Sequence, residues 1–316
     1  MTFGLQTEEN LAREIMSKAA SAGVNFIDTA DVYPLGGGLA TVGRTEEIVG
    51  RWLMGQRESY VLATKAVGRV GPNPWDRGAS RKHLLDAVDA SLRRLQTDYV
   101  DLYQLHSDDA ATPLDETLEA LDAIVKSGRA RYVGLSNFLA YRVAKALGRC
   151  DLKGLARVVS IQPRYNLLFR QIERELLPLA LEEGLGVIPY NPLAGGLLTG
   201  KHKPGSAPPP GTRFTLGTGA GIYQDRYWND RAFATVQSLG PRTPSGNAAD
   251  DAVGRLDARQ SRRHRAAARS QPPRSTRRIP RGRDVPARSR AQAKARRAHR
   301  RLPSRRRPAV NAARVG

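Results

Sequence analysis

Two hydrophobic periods alternate along the first 240 residues of the chain. Short apolar runs rich in β-branched residues, typical of buried strands, occur at 24–28, 60–64, 99–105, 131–135, 157–161 and 185–189. Amphipathic stretches typical of helices lie between them, at 7–22, 80–95, 114–127 and 173–183. The strand starts are about 30 residues apart, which is the size of one βα unit. The pattern therefore predicts a series of repeated βα units.

A polar residue stands at or just after the carboxyl end of every predicted strand. In chain order these are Asp28, Lys65, His106, Ser136 with Asn137, Gln162, and Tyr190 with Asn191. Repeated βα units form either a closed (β/α)8 barrel or an open, doubly wound sheet. An open sheet typically carries a G-x-G-x-x-G turn after its first strand, and Gly36-Gly37-Gly38 does not match that turn. We therefore predict an α/β fold of the TIM-barrel class in which strands two to seven are recognisable.

Five motifs, in this order, resemble those of the aldo-keto reductase superfamily. They are F-I-D-T-A-D-V-Y (26–33), G-R-T-E-E-I-V-G (43–50), D-L-Y-Q-L-H (101–106), V-G-L-S-N-F (133–138) and Y-N-P-L-A-G-G-L-L-T-G-K (190–201). The chain is most similar to the bacterial branch that resembles potassium-channel β subunits. The resemblance implies a barrel domain over residues 1–239 that reduces small aldehydes or ketones reversibly. It also implies that the family's first strand is absent, or that the true start of the protein lies upstream.

The resemblance implies a catalytic set of Asp28, Tyr33, Lys65 and His106. Adding a hydride to a carbonyl carbon leaves negative charge on the oxygen, which must then receive a proton. A tyrosine is a poor acid at its ordinary pKa of about 10, but a nearby ammonium group favours the phenolate and lowers that pKa. We therefore expect Tyr33 to be the general acid, with Lys65 held by Asp28 beside it. His106 is expected to orient the carbonyl oxygen.

A nicotinamide cofactor is implied because no side chain can supply a hydride. NADPH is the family's usual choice, and NADH is the alternative. The residues that the resemblance assigns to cofactor binding are Ser136, Asn137, Gln162, Tyr190, Asn191, Leu193, Gly195, Leu197 and Lys201. The first three are expected to bind the carboxamide, Tyr190 to stack on the ring, and 191–201 to follow the pyrophosphate. No metal is expected.

Two long segments are expected to be loops that shape the substrate pocket, because loops of this length in a compact domain are usually functional. They span residues 66–79 and 202–230. His83 and His202 lie outside the motifs and are expected to be solvated. The family usually has serine where this chain has Asn191, and both side chains can donate a hydrogen bond.

The net charge of +21 comes almost entirely from the last quarter of the chain. Residues 241–316 contain 23 Lys and Arg against 4 Asp, a net charge of +19, and they lack Phe, Tyr, Trp and Met. Such a composition predicts an Arg/Pro/Ala-rich disordered tail over 240–316. One interpretation is a nucleic-acid-binding tail. We favour translation of a GC-rich gene in the wrong reading frame, which predicts a one-nucleotide shift between about codons 238 and 258. On this interpretation the tail is not expected to bind a specific nucleic acid.

The remaining composition narrows the class of protein. The single cysteine, Cys150, excludes an intramolecular disulfide framework and a cysteine-rich zinc site. No apolar run reaches the ~18 residues of a membrane helix, so the expected location is the cytoplasm, with no membrane partner. The main hypothesis is an NADP-dependent reductase whose oligomeric state stays open. The alternatives are a weakly active NADPH-binding regulatory or interaction subunit, and nucleic-acid binding through the tail.

Overall fold

A computed structural model of the chain describes residues 1–239. Six parallel strands form one sheet in chain order, and each strand pairs with the next. The strands are β1 (Phe26–Asp28), β2 (Val61–Ala66), β3 (Val100–Leu105), β4 (Ala130–Ser136), β5 (Val158–Gln162) and β6 (Gly186–Val187). This is the strand order of consecutive βα units, and it confirms the predicted α/β barrel class with six strands in place.

Helices precede, connect and follow the strands. They are α1 (Glu9–Ser21), α2 (Arg44–Leu53), α3 (Arg81–Leu95), α4 (Leu114–Lys126), α5 (Ala140–Lys153), α6 (Leu176–Glu182), α7 (Ala220–Tyr227) and α8 (Asp230–Leu239). The α3 helix shows why they form where they do. The Ser80 hydroxyl accepts a hydrogen bond from the His83 backbone N–H at the start of α3, and Leu84, Val88 and Leu95 lie buried on one stripe.

Several predicted boundaries shift in the structure. The first helix begins at residue 9 rather than 7, and the helix predicted at 173–183 begins at 176, after a short 3-10 turn at 171–173. Lys65 lies inside β2 instead of following it. The segment 202–230 is not wholly a loop, because α7 forms within it. Tyr223 and Tyr227, one turn apart on α7, are buried and hold this helix in place.

The core of the described residues has two parts. The larger part lies between the sheet and helices α1–α6. The smaller part anchors the segment after β6, where Leu197, Phe214, Tyr223 and Phe233 are buried together. This second cluster fixes the turn at 194–199 beside the carboxyl ends of β5 and β6, where the candidate cofactor residues lie.

Within residues 1–239, β1 pairs only with β2 and β6 pairs only with β5. The predictions of a disordered basic tail, of a reading-frame shift and of a domain boundary at 239 concern residues 240–316. Those residues lie outside the described part of the chain, so these three statements stay predictions.

Candidate active site

A lysine–aspartate pair lies at the carboxyl ends of β1 and β2. The Lys65 Nζ donates to Asp28 Oδ2 at 2.6 Å and to the Thr29 carbonyl at 2.8 Å. The Lys65 side chain is 1% exposed, and Asp28 is 28% exposed, so the carboxylate forms the open side of the pair. Burial lowers the pKa of Lys65, while the Asp28 charge and hydrogen bond raise it. Because Lys65 Nζ and Asp28 Oδ2 are only 2.6 Å apart, this charge-assisted hydrogen bond holds the lysine in one position.

Two glutamine amides complete the hydrogen bonding of the Asp28 carboxylate. Gln104 Nε2 donates to Asp28 Oδ1 at 2.9 Å, and Gln162 Nε2 donates to the same oxygen at 3.1 Å. Gln104, which the motif analysis did not single out, is the parallel-sheet neighbour of Lys65. Gln104 is a polar residue in the buried half of β3 and lies on the same face as His106 two residues later, and this is the signal that could have identified it.

Tyr33 and His106 meet beside this pair. Their ring centroids are 5.6 Å apart with an interplanar angle of 82°, and Lys65 Nζ lies 5.4 Å from the Tyr33 ring centroid. The four residues predicted as catalytic therefore lie in one cluster. Burial, with a smaller contribution from Lys65, lowers the pKa of His106 to about 4, so His106 is neutral near pH 7.

The expected effect of Lys65 on Tyr33 is not what this arrangement produces. Burial is the largest cause acting on the Tyr33 phenol, the negative charge of Asp28 comes next, and together they raise its pKa. The positive charge of Lys65 is offset by the negative charge of Asp28 at 2.6 Å. Tyr33 therefore keeps its proton at neutral pH, and its pKa is not lowered.

Four of the predicted cofactor residues form a hydrogen-bonded row next to the cluster. Ser136 Oγ donates to the Gln162 carbonyl at 2.8 Å. Asn137 Nδ2 donates to the His106 carbonyl at 2.8 Å, and Tyr190 OH donates to Asn137 Oδ1 at 2.7 Å. The row links the carboxyl ends of β3, β4 and β5 to Tyr190. It therefore fixes a polar edge along one side of Tyr33 and His106.

The segment after Tyr190 has features suited to a phosphate-bearing ligand. Asn191 Nδ2 is buried and has no hydrogen-bond partner among residues 1–239. Gly195 and Gly196 adopt left-handed backbone angles, with φ of 71° and 102°, that favour glycine. Lys201 lies across the turn from Gly196. A buried unpaired donor, a tight glycine turn and a nearby cation are what an anionic ligand requires, so these residues fit a dinucleotide.

The remaining predicted positions of this segment fall into two groups. Leu197 is fully buried in the smaller core cluster, and Leu193 packs against that cluster. The Cβ of any side chain at position 195 would come within 2.7 Å of the Tyr223 ring, so Gly195 lets that ring close over the turn. These three residues therefore shape the turn through packing.

Both histidines outside the motifs are buried, so the expectation that they are solvated was wrong. His83 is 3% exposed and His202 is 7% exposed. His202 packs edge-on against Phe214 and Trp228, with both centroid distances at 5.2 Å. Arg213, also missed from the sequence, has a buried Nη1 without a partner in the described residues. Its charge acts on Tyr33.

Two fully buried carboxyl groups, those of Asp31 and Glu46, lie close enough to Lys65 for their charges to act on it. Asp31 is fully buried, and neither of its carboxyl oxygens has a well-formed hydrogen bond within residues 1–239. Its neighbour Glu46, also fully buried, is satisfied by Thr64 Oγ1 at 2.5 Å and by Arg94 Nε at 2.7 Å. Burial first, and the Glu46 charge second, raise the pKa of Asp31 well above its ordinary value.

We expect Asp31→Asn to stabilise the protein at neutral pH. Because its folded-state pKa is raised, Asp31 keeps its proton in the folded protein at pH values where the unfolded chain has lost it. The contribution of Asp31 to the free energy of unfolding is therefore complete below about pH 4. It is lost as the pH rises through the folded-state pKa. An asparagine amide has no such proton to lose. The melting temperature of the variant should match that of the wild type near pH 4 and exceed it increasingly toward pH 8.

The gain should be about 1.4 kcal/mol for each pH unit over which the folded carboxyl keeps its proton while the unfolded one is ionised. The matched control is Asp98→Asn, which changes an exposed carboxyl and should leave the pH profile of stability unchanged. Equal melting temperatures of wild type and Asp31→Asn across the whole pH range would contradict the assignment.

The fold and the site define a class: a parallel α/β barrel protein whose polar residues gather at the carboxyl ends of its strands, where barrel enzymes carry their active sites. The chain belongs to the aldo/keto reductase family, whose family model matches residues 1–240. The match confirms the resemblance that the motifs indicated.

Individual relatives support the same assignment. The uncharacterized oxidoreductase YrpG of Bacillus subtilis is 43% identical over 209 residues, which cover 64% of this chain and 63% of that protein. A probable voltage-gated potassium channel subunit beta of Arabidopsis thaliana is 39% identical over 219 residues, or 68% of this chain and 64% of that protein. Protein tas of Escherichia coli is 38% identical over 239 residues, 68% of this chain and 69% of that protein. The chain spans less than two thirds of the first two.

Two further properties of residues 1–239 bear on possible partners. No helix among them is both long and apolar enough to cross a membrane. The same residues contain no group of three or more His, Cys, Asp or Glu side chains arranged to hold a metal ion.

Proposed function

We propose that the protein is an NADPH-dependent carbonyl reductase that acts on aldehydes or ketones, with NADH as the alternative cofactor. The observation that carries this proposal is the cluster of Tyr33, His106 and the Lys65–Asp28 pair, in which a protonated phenol, a neutral imidazole and an ion pair share one small space. Family membership supports an oxidoreductase of this kind.

Each residue of the cluster has a distinct task. Tyr33 holds a proton that it donates to the carbonyl oxygen as negative charge develops there. The neutral His106 donates a ring N–H to the same oxygen and orients it, without giving up its own proton. The Lys65–Asp28 pair lies beside the phenol, with Lys65 Nζ 5.4 Å from the Tyr33 ring centroid, and fixes the position of the polar groups around Tyr33. Gln104 and Gln162 keep Asp28 in place.

The cofactor would be held by the row of Ser136, Asn137, Gln162 and Tyr190 and by the segment 191–201. When bound, the nicotinamide supplies a hydride to the carbonyl carbon. The row offers amide and hydroxyl groups for a carboxamide, after exchange of the hydrogen bonds that now join them. Asn191, the Gly195–Gly196 turn and Lys201 offer donors and positive charge for a pyrophosphate.

The direct test follows the NADPH absorbance of the purified full chain with 4-nitrobenzaldehyde, compared with the same protein without aldehyde. Aldehyde-dependent oxidation of NADPH with formation of the alcohol is the expected result. A folded protein that binds NADPH and consumes no aldehyde of a broad panel would contradict the reductase assignment.

A second candidate is a cofactor-binding regulatory subunit, which is favoured by the relative named as a probable potassium channel subunit beta. It predicts NADPH binding with negligible turnover. The aldehyde assay together with a fluorescence titration of NADPH distinguishes the two functions, because only the reductase shows turnover that saturates with aldehyde.

A further inference from the structure

His202 is a buried histidine whose two ring nitrogens have no hydrogen-bond partner in the described part of the chain. The residue is 7% exposed, and its ring packs edge-on against Phe214 and Trp228. Buried polar atoms in folded proteins are almost always paired. An apolar ring would pack here without the cost of about 1–3 kcal/mol that an unpaired polar group carries. The imidazole therefore indicates a role that packing alone does not explain.

The Nε2 atom of this ring lies beside the glycine turn that is proposed to hold the pyrophosphate. A Cβ built at Gly196 would lie 3.9 Å from His202 Nε2 and 3.7 Å from Lys201 Nζ. The two nitrogens, from residues adjacent in the chain, therefore approach the same point next to the turn. Gly196 has a φ of 102°, which disfavours any residue with a side chain. The glycine thus keeps this point free, and two nitrogen-bearing side chains border it.

The charge that acts on the His202 ring is positive. Burial lowers the pKa of His202 below its ordinary value, and the charge of Lys201 lowers it further. The elements packed against the ring present Phe214 and Trp228 to it, and Arg213 adjoins Phe214 in the chain. No ion pair within residues 1–239 joins Lys201 or Arg213 to a carboxylate. Without a ligand the imidazole is therefore neutral at pH 7.

An anion at the Gly196 turn would reverse this balance. Its negative charge would offset the charge of Lys201, which opposes protonation of His202, and would act on the imidazole as well. An opposite charge within ~4–6 Å favours the charged form of a titratable group, and histidine is the side chain that ordinarily changes its charge between about pH 5 and 8. Proton binding and anion binding then strengthen each other by the same factor, because the coupling between two sites is reciprocal.

We propose that His202 takes up a proton when the pyrophosphate of the dinucleotide binds at the Gly196 turn, and that the resulting imidazolium and Lys201 together stabilise the bound anion. This inference rests on the cofactor binding proposed above and does not depend on turnover. His202 is a further binding residue in this proposal, and it makes the affinity for the dinucleotide rise as the pH falls.

The test measures the dissociation constant of NADH for the purified full chain at about pH 5.5 and pH 8, by fluorescence titration at constant ionic strength. NADH is the probe because it lacks the 2′-phosphate of NADPH, a group that itself titrates near pH 6. The wild type should bind NADH about three- to tenfold more tightly at the lower pH, since a shift of one pKa unit on binding corresponds to a factor of ten.

Two variants remove the titrating ring in different ways. His202→Phe keeps an aromatic ring against Phe214 and Trp228, and His202→Gln keeps a polar side chain that takes up no proton. In both variants the affinity should change less than about twofold over the same pH range. The matched control is His83→Gln, which replaces another buried histidine with an unpartnered Nε2, on α3, and should keep the wild-type pH dependence.

Calorimetry of NADH binding near pH 6, in two buffers of different ionisation enthalpy, measures the exchanged protons directly. The wild type should take up a fraction of a proton that His202→Phe does not. A wild type that binds NADH with equal affinity at both pH values and without proton uptake overturns the inference and leaves cofactor binding standing. An unchanged pH dependence in both His202 variants also overturns it, because the proton then resides on another group.

The same titrations separate this inference from the proposed function. If the chain binds NADH but reduces no aldehyde, the reductase function fails, and the pH dependence of binding still decides the role of His202. If neither NADH nor NADPH binds at any pH, cofactor binding fails and the inference is overturned with it.

Discussion

Replacing Tyr33 by phenylalanine should lower kcat for aldehyde reduction about 10²–10⁴-fold, the usual contribution of a positioned general acid. The substitution removes one hydroxyl and keeps the ring that meets His106 edge-on at 5.6 Å. The affinity for NADPH should change little, because the residues proposed to bind the cofactor lie at the ends of β4–β6 and beyond. Stopped-flow or steady-state loss of NADPH absorbance measures the rate, and a fluorescence titration measures the affinity.

The matched control for this prediction is Tyr132→Phe, which removes a hydroxyl from an exposed tyrosine on β4 and should keep wild-type kcat. The raised pKa of Tyr33 adds a pH criterion. A phenol that stays protonated through neutral pH should give a kcat for reduction that shows no loss between pH 6 and pH 8 from titration of Tyr33. A Tyr33→Phe variant with more than half of the wild-type kcat would remove Tyr33 from the mechanism.

The sequence predicted the strands and the residues at their ends because both follow from simple periodicity. Buried parallel strands are continuous apolar runs, and polar residues at their carboxyl ends must lie along one edge of the sheet. Asp28, Lys65 and His106 come from three neighbouring strands or their ends, and the structure places them together with Tyr33. Family motifs then supplied the roles, which periodicity alone does not provide.

The sequence could not predict the electrostatic balance of the site. That balance depends on distances across strands, which single-sequence patterns do not contain. The 2.6 Å contact between Lys65 and Asp28 offsets the charge that was expected to acidify Tyr33. Gln104 and Asp31 were missed for the same reason, because each acts on a residue of another strand or loop. The helix α7 was missed because its stability comes from Tyr223 and Tyr227 packing into the smaller core cluster.

Asp28→Asn should destabilise the protein by about 3 kcal/mol, near the lower end of the cost of breaking a buried ion pair, since Asp28 itself is 28% exposed. The amide preserves the shape and an acceptor for Gln104, so the loss isolates the missing charge. Lys65 is 1% exposed and would keep its charge with only neutral partners within hydrogen-bonding distance. Reductase activity should fall together with stability, because the lysine no longer has a fixed position near Tyr33.

The pH dependence of that loss identifies its cause. Without the Asp28 charge, burial lowers the pKa of Lys65 further below that of the unfolded chain. The unfolded chain then binds more protons than the folded protein over a wider range, so the stability of Asp28→Asn should rise with pH up to about pH 10, where the unfolded lysine titrates. Adding Lys65→Met removes the unpaired cation, so the double variant should recover most of the lost free energy of unfolding while remaining inactive. Chemical denaturation at several pH values measures both effects. A double variant no more stable than Asp28→Asn would show that the loss of stability arises from altered packing. The unpaired charge of Lys65 would then not be its cause.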